Sequence, residues 1–119
     1  MVRKVLVVDD SPTDRASLEA ILNKAGYIVS TADSGVTALE KVKADTPDVI
    51  FLDIIMPDMD GYRTCRTLKK DAASKDIPII FVTSKKEKAD KMWAMRQGGD
   101  GYIVKPAEEE AVLKELSAF

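Results

Sequence analysis

Acidic side chains directly follow two apolar runs in this sequence of 119 residues. The run at residues 4–8 leads into Asp9 and Asp10, and the run at 48–52 leads into Asp53. Two adjacent carboxylates repel, at a cost on the order of 4 kcal/mol for unit charges about 4 Å apart at an effective dielectric near 20. A divalent cation turns that repulsion into attraction, and all-oxygen ligation with spare water positions suits Mg²⁺. The aspartates therefore predict a site for Mg²⁺ or Mn²⁺.

Two further apolar runs lead to residues whose side chains are suited to binding anions. Thr83 follows the run at 77–82, and Lys105 ends the run at 101–105. An ammonium and a hydroxyl beside a metal ion are suited to holding a phosphoryl group. A carboxylate can also attack phosphorus to form an acyl phosphate, and Asp53 is the best candidate because it stands alone at its strand end. The backbone of residues 54–57 offers N–H groups to phosphate oxygens and a carbonyl to the metal.

The composition excludes several other kinds of chemistry. The chain has no histidine and a single cysteine, Cys65, which removes His-based catalysis, His- or Cys-based zinc sites and an internal disulfide. We expect Cys65 to be a small core residue. A net charge of −2 without a basic excess argues against nucleic-acid binding. The apolar runs are too short for membrane insertion or a secretory signal, so we expect a cytoplasmic protein. We also expect it to be a monomer.

Short β-branched runs alternate with helical patterns along the whole chain. Residues 4–8, 27–32, 48–52, 77–82 and 101–105 are the predicted strands. Ser11-Pro12 predicts the start of the first helix and Gly26 its end. Gly98-Gly99 ends the fourth helix, and the acidic run 108–110 opens the fifth. We predict an α/β fold in one domain, 1–119: a doubly wound, flavodoxin-like parallel sheet of five strands in the order 2-1-3-4-5, with five helices.

That strand order explains how distant residues could form one site. Ligands of open parallel sheets bind at the carboxyl ends of the strands, at the switch point, which here lies between strands 1 and 3. Asp9, Asp10, Asp53, Thr83 and Lys105 all lie at such ends. We therefore expect three carboxylates, a hydroxyl and an ammonium to converge on one edge of the sheet.

These residues together resemble the receiver domain of two-component response regulators, the CheY-like family. The resemblance rests on Asp9-Asp10, the segment DIIMPDMDG at 53–61, VTS at 82–84 and Lys105-Pro106, and it spans essentially the whole chain. Residues 83–106, TSKKEKADKMWAMRQGGDGYIVKP, further resemble single-domain regulators of type IV pilus (twitching) chemosensory systems, of the PilH and PilG kind.

The resemblance implies a role for each site residue. Asp53 accepts a phosphoryl group from a phosphohistidine on a histidine kinase or phosphotransfer protein. Asp10 and Asp53 bind Mg²⁺ directly, the Ile55 carbonyl completes the protein ligands, and Asp9 assists through water. Lys105 pairs with the phosphoryl oxygens. The peptide bond between Lys105 and Pro106 is usually cis in this family.

A switch is implied as well. Thr83 moves toward the phosphoryl group, and Tyr102 turns inward, which reshapes the face made by helix 4, strand 5 and helix 5. The implied function is a phosphorylation-activated signalling switch without an output domain, in chemotaxis or twitching motility. It acts by binding a downstream protein and catalyses only its own phosphorylation and dephosphorylation, so it is not an enzyme in the usual sense.

Several alternatives stand beside this interpretation. The chain could drain phosphate from a shared kinase, or bind partners as a pseudo-receiver without phosphorylation. A phosphatase of the haloacid-dehalogenase kind needs Asp-x-Asp after strand 1, but Ser11 occupies the third position; a flavin carrier would meet repulsion between Asp9-Asp10 and the FMN phosphate. Tyr102 could be ordinary core. Trp93 and Met92 on helix 4 are more often packing residues than a partner site.

Overall fold

The computed structural model of the protein describes all residues, 1–119, and shows five strands alternating with five helices. The elements in chain order are β1 Lys4–Val8, α1 Pro12–Lys24, β2 Ile28–Ala32, α2 Gly35–Ala44, β3 Val49–Leu52, α3 Gly61–Lys70, β4 Ile79–Thr83, α4 Lys88–Arg96, β5 Gly101–Val104 and α5 Glu109–Leu116. Short loops join them, as the alternating pattern predicts.

All five strands are parallel and form one sheet. The order is β2-β1-β3-β4-β5, which confirms the predicted topology. Val8 pairs with Leu52 and with Ala32, so β1, β2 and β3 end at the same level. The residues that follow these strands are therefore neighbours at one edge of the sheet.

Helices cover both faces of the sheet, because successive side chains of its central strands point to opposite faces and both sets are buried. Leu6, Val8, Ile50, Leu52 and Phe81 belong to one apolar cluster, together with buried residues of α2, α3 and α4. The neighbouring strand residues form a second cluster with buried residues of α1 and α5; they are Val5, Val7, Val49, Phe51, Ile80, Val82 and Ile103. The three central strands are apolar on both faces, as parallel strands under two helix layers require.

Local capping signals place the helix ends where the sequence predicts them. Ser11 is the N-cap of α1, with Pro12 in the first turn, and its hydroxyl accepts from the Asp14 N–H at 3.3 Å. Gly26 follows the C-cap of α1 with a φ of 95°. The fourth strand lies slightly later than predicted, at 79–83, because Pro78 has no N–H to donate to the sheet. None of the helices combines the length and apolar character needed to span a bilayer.

Candidate functional site

Backbone hydrogen bonds extend the sheet just past the strand ends and hold the predicted site residues in place. The Asp9 N–H donates to the Ala32 carbonyl at 3.1 Å, and the Asp53 N–H donates to the Val8 carbonyl at 3.0 Å. The Lys105 N–H donates to the Thr83 carbonyl at 2.8 Å. The backbones of Asp9, Asp53 and Lys105 are therefore positioned by the sheet itself.

The three predicted metal-binding aspartates form one cluster. Asp9, Asp10 and Asp53 each place a carboxylate oxygen within 4.8 Å of the others. Asp9 and Asp53 are buried, whereas Asp10 is exposed. The arrangement opens toward solvent on the Asp10 side, where an ion could enter.

Lys105 lies beside two of these aspartates. Its Nζ donates to Asp9 Oδ2 at 2.7 Å and to Asp53 Oδ2 at 2.9 Å. A third bond, at 2.9 Å, reaches Oδ2 of Asp14. Lys105 forms no salt bridge with Asp10.

Sequence reasoning missed Asp14. It lies in the first turn of α1, where an acidic residue is ordinarily explained by the helix dipole. The available signal was its position four residues after Asp10, in the first turn of the helix that follows β1. Only the packing of α1 beside the β5–α5 loop shows that Asp14 contacts Lys105.

Burial and charge shift the ionisation of this cluster. Burial raises the pKa of the Asp9 carboxyl, and the nearby Asp53 charge adds to this rise, although hydrogen bonds from Lys105 and the Ser11 N–H oppose it. Burial alone would lower the pKa of Lys105, but its hydrogen bonds to Asp9, Asp14 and Asp53 outweigh burial and raise it. The ammonium is thus held firmly in its charged form.

The loop after β3 surrounds Asp53 with backbone groups. Oδ1 of Asp53 accepts from the Ile54 N–H at 2.7 Å and, more weakly, from the Ile55 N–H at 3.4 Å. The Ile55 carbonyl oxygen accepts no hydrogen bond from the protein, so it remains available as a ligand. Its side chain is 54% exposed.

Gly61 lets α3 begin directly against the backbone of Asp53. A Cβ at position 61 would lie 2.1 Å from the Asp53 carbonyl oxygen and 2.8 Å from Cα of Ile54. The Gly61 N–H also donates to the Ile54 carbonyl at 2.9 Å. The glycine that ends the DIIMPDMDG segment is thus required by a close backbone approach.

Thr83 and Tyr102 lie near the site but do not join its carboxylates. Thr83 is completely buried at the end of β4, and its Oγ1 accepts from the Lys85 N–H at 3.4 Å. The Tyr102 hydroxyl donates to the Lys85 carbonyl at 2.7 Å, while its ring packs on the apolar cluster of α2–α4. Lys85 therefore connects the two residues, and burial raises the pKa of Tyr102 to about 12.

Two large apolar side chains on α4 are more exposed than the sequence predicts. The sequence favours packing for Trp93 and Met92, yet they are 50% and 53% exposed on α4. Only Ala94 of this helix is buried, because the short helix touches the sheet through one narrow stripe. Cys65, in contrast, is fully buried as expected, and burial raises its pKa to about 11.

The donor set fits a hard divalent cation. Three carboxylates meet one ammonium, so the cluster keeps excess negative charge, and the groups free to bind an ion are oxygens: Asp10 and the Ile55 carbonyl. Oxygen ligands with an open side match the preference of Mg²⁺. The acidic pocket therefore has the ligand chemistry that the sequence predicts for a Mg²⁺ site.

Comparison with known proteins agrees with the site. Residues 5–117 match the sequence profile described as the response regulator receiver domain. Protein PilH of Pseudomonas aeruginosa is 42% identical over 115 residues, covering 97% of this chain and 95% of PilH. Protein PilG of the same organism is also 42% identical, over 97% of this chain and 85% of PilG.

Solved structures show the same relationship. The chemotaxis protein CheY4 of Vibrio cholerae superposes with a TM-score of 0.92 at 35% identity, covering 99% of this chain and 98% of CheY4. A putative response regulator from Chloroflexus aurantiacus gives a TM-score of 0.94 at 30% identity, over 99% and 97% of the two chains. The resemblance noted in the sequence is thereby confirmed, and the chain belongs to the CheY-like receiver domains of two-component response regulators.

Proposed function

We propose that this receiver domain accepts a phosphoryl group on Asp53 and thereby switches its partner-binding surface. The observation that carries the proposal is the buried Asp53 carboxylate, which has the Lys105 ammonium 2.9 Å away and Asp10 and Asp9 within 4.8 Å. This arrangement supplies an oxygen nucleophile, an anion-binding cation and a metal subsite at one point.

Asp10, Asp53 and the Ile55 carbonyl would hold Mg²⁺ directly. Asp9 would assist through water, as the resemblance implies; its Oδ1 already accepts from the Ser11 N–H at 2.9 Å and its Oδ2 from Lys105 at 2.7 Å. The Asp53 oxygens are engaged too, by the Ile54 N–H and by Lys105, so direct binding to the ion would replace one of those hydrogen bonds. Asp10 is exposed and free of such bonds. When bound, the ion would neutralise negative charge on the donor phosphoryl group.

The reaction itself needs one bond made and one broken. A carboxylate oxygen of Asp53 attacks phosphorus, while the P–N bond of a phosphohistidine donor breaks and its electron pair remains on the imidazole. With acetyl phosphate the P–O bond breaks instead, and acetate leaves. Lys105 gives a hydrogen bond to a phosphoryl oxygen, and Asp53 becomes a mixed anhydride.

The switch would begin at Thr83. Movement of its hydroxyl toward the phosphoryl group breaks the long 3.4 Å bond from the Lys85 N–H, and the Lys85 carbonyl is the acceptor of the Tyr102 hydroxyl. Tyr102 borders a groove with Val104 and Ala111, so its reorientation alters the face of α4, β5 and α5. Phosphorylation biases such a two-state element electrostatically.

The biological setting is proposed from the relatives. A histidine kinase or phosphotransfer protein would supply the phosphoryl group, and similarity to PilH, PilG and a chemotaxis protein supports a role in chemotaxis or twitching motility. The domain would work as a cytoplasmic monomer that binds a downstream protein, and it would catalyse only its own phosphorylation and dephosphorylation.

Acetyl phosphate with Mg²⁺ tests the proposal directly. We expect a mass gain of one phosphoryl group that requires Mg²⁺ and disappears in Asp53→Asn. Beryllofluoride with Mg²⁺ should also change the emission of Trp93, the only tryptophan, in wild type but not in that variant.

Asp58→Asn is the matched control. Asp58 lies exposed in the same loop, with a φ of 66° that asparagine tolerates, and the substitution removes the same charge. It should be phosphorylated like wild type. If wild type gains no mass with acetyl phosphate or with its own kinase, the domain binds partners without phosphorylation and the proposal is wrong.

A further inference from the structure

The ammonium of Lys105 has all of its hydrogen bonds occupied before any phosphoryl group arrives. A lysine ammonium has three N–H donors. Here they point to three carboxylates, on Asp9, Asp53 and Asp14, at 2.7, 2.9 and 2.9 Å. If Lys105 is to donate to a phosphoryl oxygen, as in the proposed function, one of these bonds has to be given up.

The three partners differ in how easily they can be released. The side chains of Asp9 and Asp53 are 7% and 8% exposed, whereas that of Asp14 is 48% exposed. A buried carboxylate that loses its counter-ion bears a large desolvation cost, but an exposed one is rehydrated by water. Asp14 is therefore the partner whose bond costs least to break.

The surroundings of Asp14 also leave it space. A cavity of about 70 Å³ adjoins Lys105 on the side of α1, and its lining includes Asp14, Ser17, Leu18, Pro106 and Ala107. The Asp14 carboxylate can turn into this space while α1 stays in place. Asp9 cannot do so, because the Ser11 N–H also binds it.

We propose that Asp14 is a positioning residue that holds Lys105 at rest and yields its hydrogen bond to the incoming phosphoryl group. The bond that breaks is Nζ–H to Asp14 Oδ2, and the bond that forms is the same N–H to a phosphoryl oxygen; no proton is transferred. Asp14 thus competes with anions for Lys105, while its negative charge attracts cations to the neighbouring aspartates.

This role predicts opposite effects on anions and cations. Asp14→Asn keeps the shape of the side chain but weakens the competing bond. The second-order rate of phosphorylation by acetyl phosphate, at Mg²⁺ concentrations that saturate each protein, should rise about two- to fivefold. The Kd for Mg²⁺, measured by calorimetry without a phosphodonor, should increase by about the same factor, because binding of the cation becomes weaker.

Two variants test whether the charge at position 14 causes both effects. Asp14→Glu restores the charge within reach of Lys105 and should return both quantities toward wild type. Glu19→Gln removes one negative charge more than a helical turn further along α1 and should leave both within about 1.5-fold, because a partly exposed charge at that separation is screened by solvent and salt. Circular dichroism verifies that each variant is folded.

The outcomes separate this inference from the proposed function, on which it rests. A wild type labelled at Asp53, with both quantities unchanged in Asp14→Asn, would overturn the role of Asp14 alone. A loss of rate together with weaker Mg²⁺ binding would also overturn it, since a merely structural defect impairs both. A wild type that takes no label would overturn the proposed function and this inference together.

Discussion

Lys105 illustrates how single side chains acquire their properties from a few close neighbours. Its ammonium is largely buried, which on its own favours the neutral form, but three carboxylates within 2.9 Å reverse that preference and raise its pKa. The sequence predicted Lys105 and two of its partners, because they follow strand ends. Its third partner, Asp14, lies on a helix and was not predicted.

Cys65 is the opposite case, a reactive group made inert by burial. It is fully buried on α3, its Sγ donates to the Gln97 carbonyl at 3.3 Å, and burial raises its pKa to about 11. At pH 8 only about one thiol in a thousand is then ionised, and the thiolate is the reacting form. We expect Cys65 in the native protein to react with Ellman's reagent at least about 100-fold more slowly than in urea-unfolded protein.

Absorbance at 412 nm against time measures both rates in the same buffer. The raised pKa also sets the sign of a pH effect: the unfolded thiol ionises first, so the contribution of Cys65 to stability decreases as pH rises above about 9. Native and unfolded rates within tenfold of each other would show that Cys65 is accessible after all.

The loop between β3 and α3 shows how one element positions the site. The loop carries Asp53 at its start and ends at Asp60, the N-cap of α3, whose side chain accepts from the Arg63 N–H at 2.9 Å. Gly61 then packs against the Asp53 carbonyl. The start of α3 therefore determines where the backbone of the proposed phosphoryl acceptor can lie.

Gly61→Ala should damage both stability and chemistry. Its Cβ would fall 2.1 Å from the Asp53 carbonyl oxygen, so the loop must move. We expect a loss of about 2–3 kcal/mol in unfolding free energy, and a lower rate of labelling by acetyl phosphate in the fraction that remains folded. Urea titration and mass spectrometry measure the two effects.

Gly26→Ala is the matched control. Gly26 has a φ of 95° and no atom within 4 Å of an added Cβ, so alanine there costs only backbone strain, about 1 kcal/mol. Its labelling rate should match wild type, because Gly26 lies at the other end of the sheet from Asp53. Equal labelling rates for both variants would contradict the role assigned to Gly61.

At the scale of the whole molecule, one sheet is shared by two apolar clusters. Phe51 belongs to the cluster under α1 and α5, and Phe81 to the cluster under α2, α3 and α4. Both phenylalanines are fully buried, and Phe81 also meets the Tyr62 ring at a centroid distance of 5.9 Å. Because β3 and β4 are paired, the loss of packing on either face weakens the same strands.

Phe51→Ala and Phe81→Ala should therefore each lower the unfolding free energy by about 3–5 kcal/mol. Each variant should still unfold in a single transition, with fluorescence and circular dichroism coinciding in urea, as expected for small two-state proteins. Phe119→Ala, at an exposed position, should change stability by less than about 0.5 kcal/mol. Separate transitions for the two probes would show that the two layers unfold independently.

The amino-acid sequence by itself determined the fold and most of the candidate site. The apolar patterns typical of strands and of helices are local signals that can be read directly from the sequence. Because right-handed crossovers restrict the topology of parallel βα units, the strand order β2-β1-β3-β4-β5 could be predicted, together with the residues at the strand ends. Asp9, Asp10, Asp53 and Lys105 were brought together as expected. Their proposed roles remain predictions for the experiments above.

Only the tertiary structure decided which helix residues approach that edge and which stay outside. Asp14 contacts Lys105 across 91 residues of sequence, and Trp93 lies half-exposed although its helix pattern indicated packing. Both outcomes depend on the rotation of a helix about its axis where it crosses the sheet. Side-chain packing against neighbouring elements sets that rotation, and helical periodicity alone does not encode it.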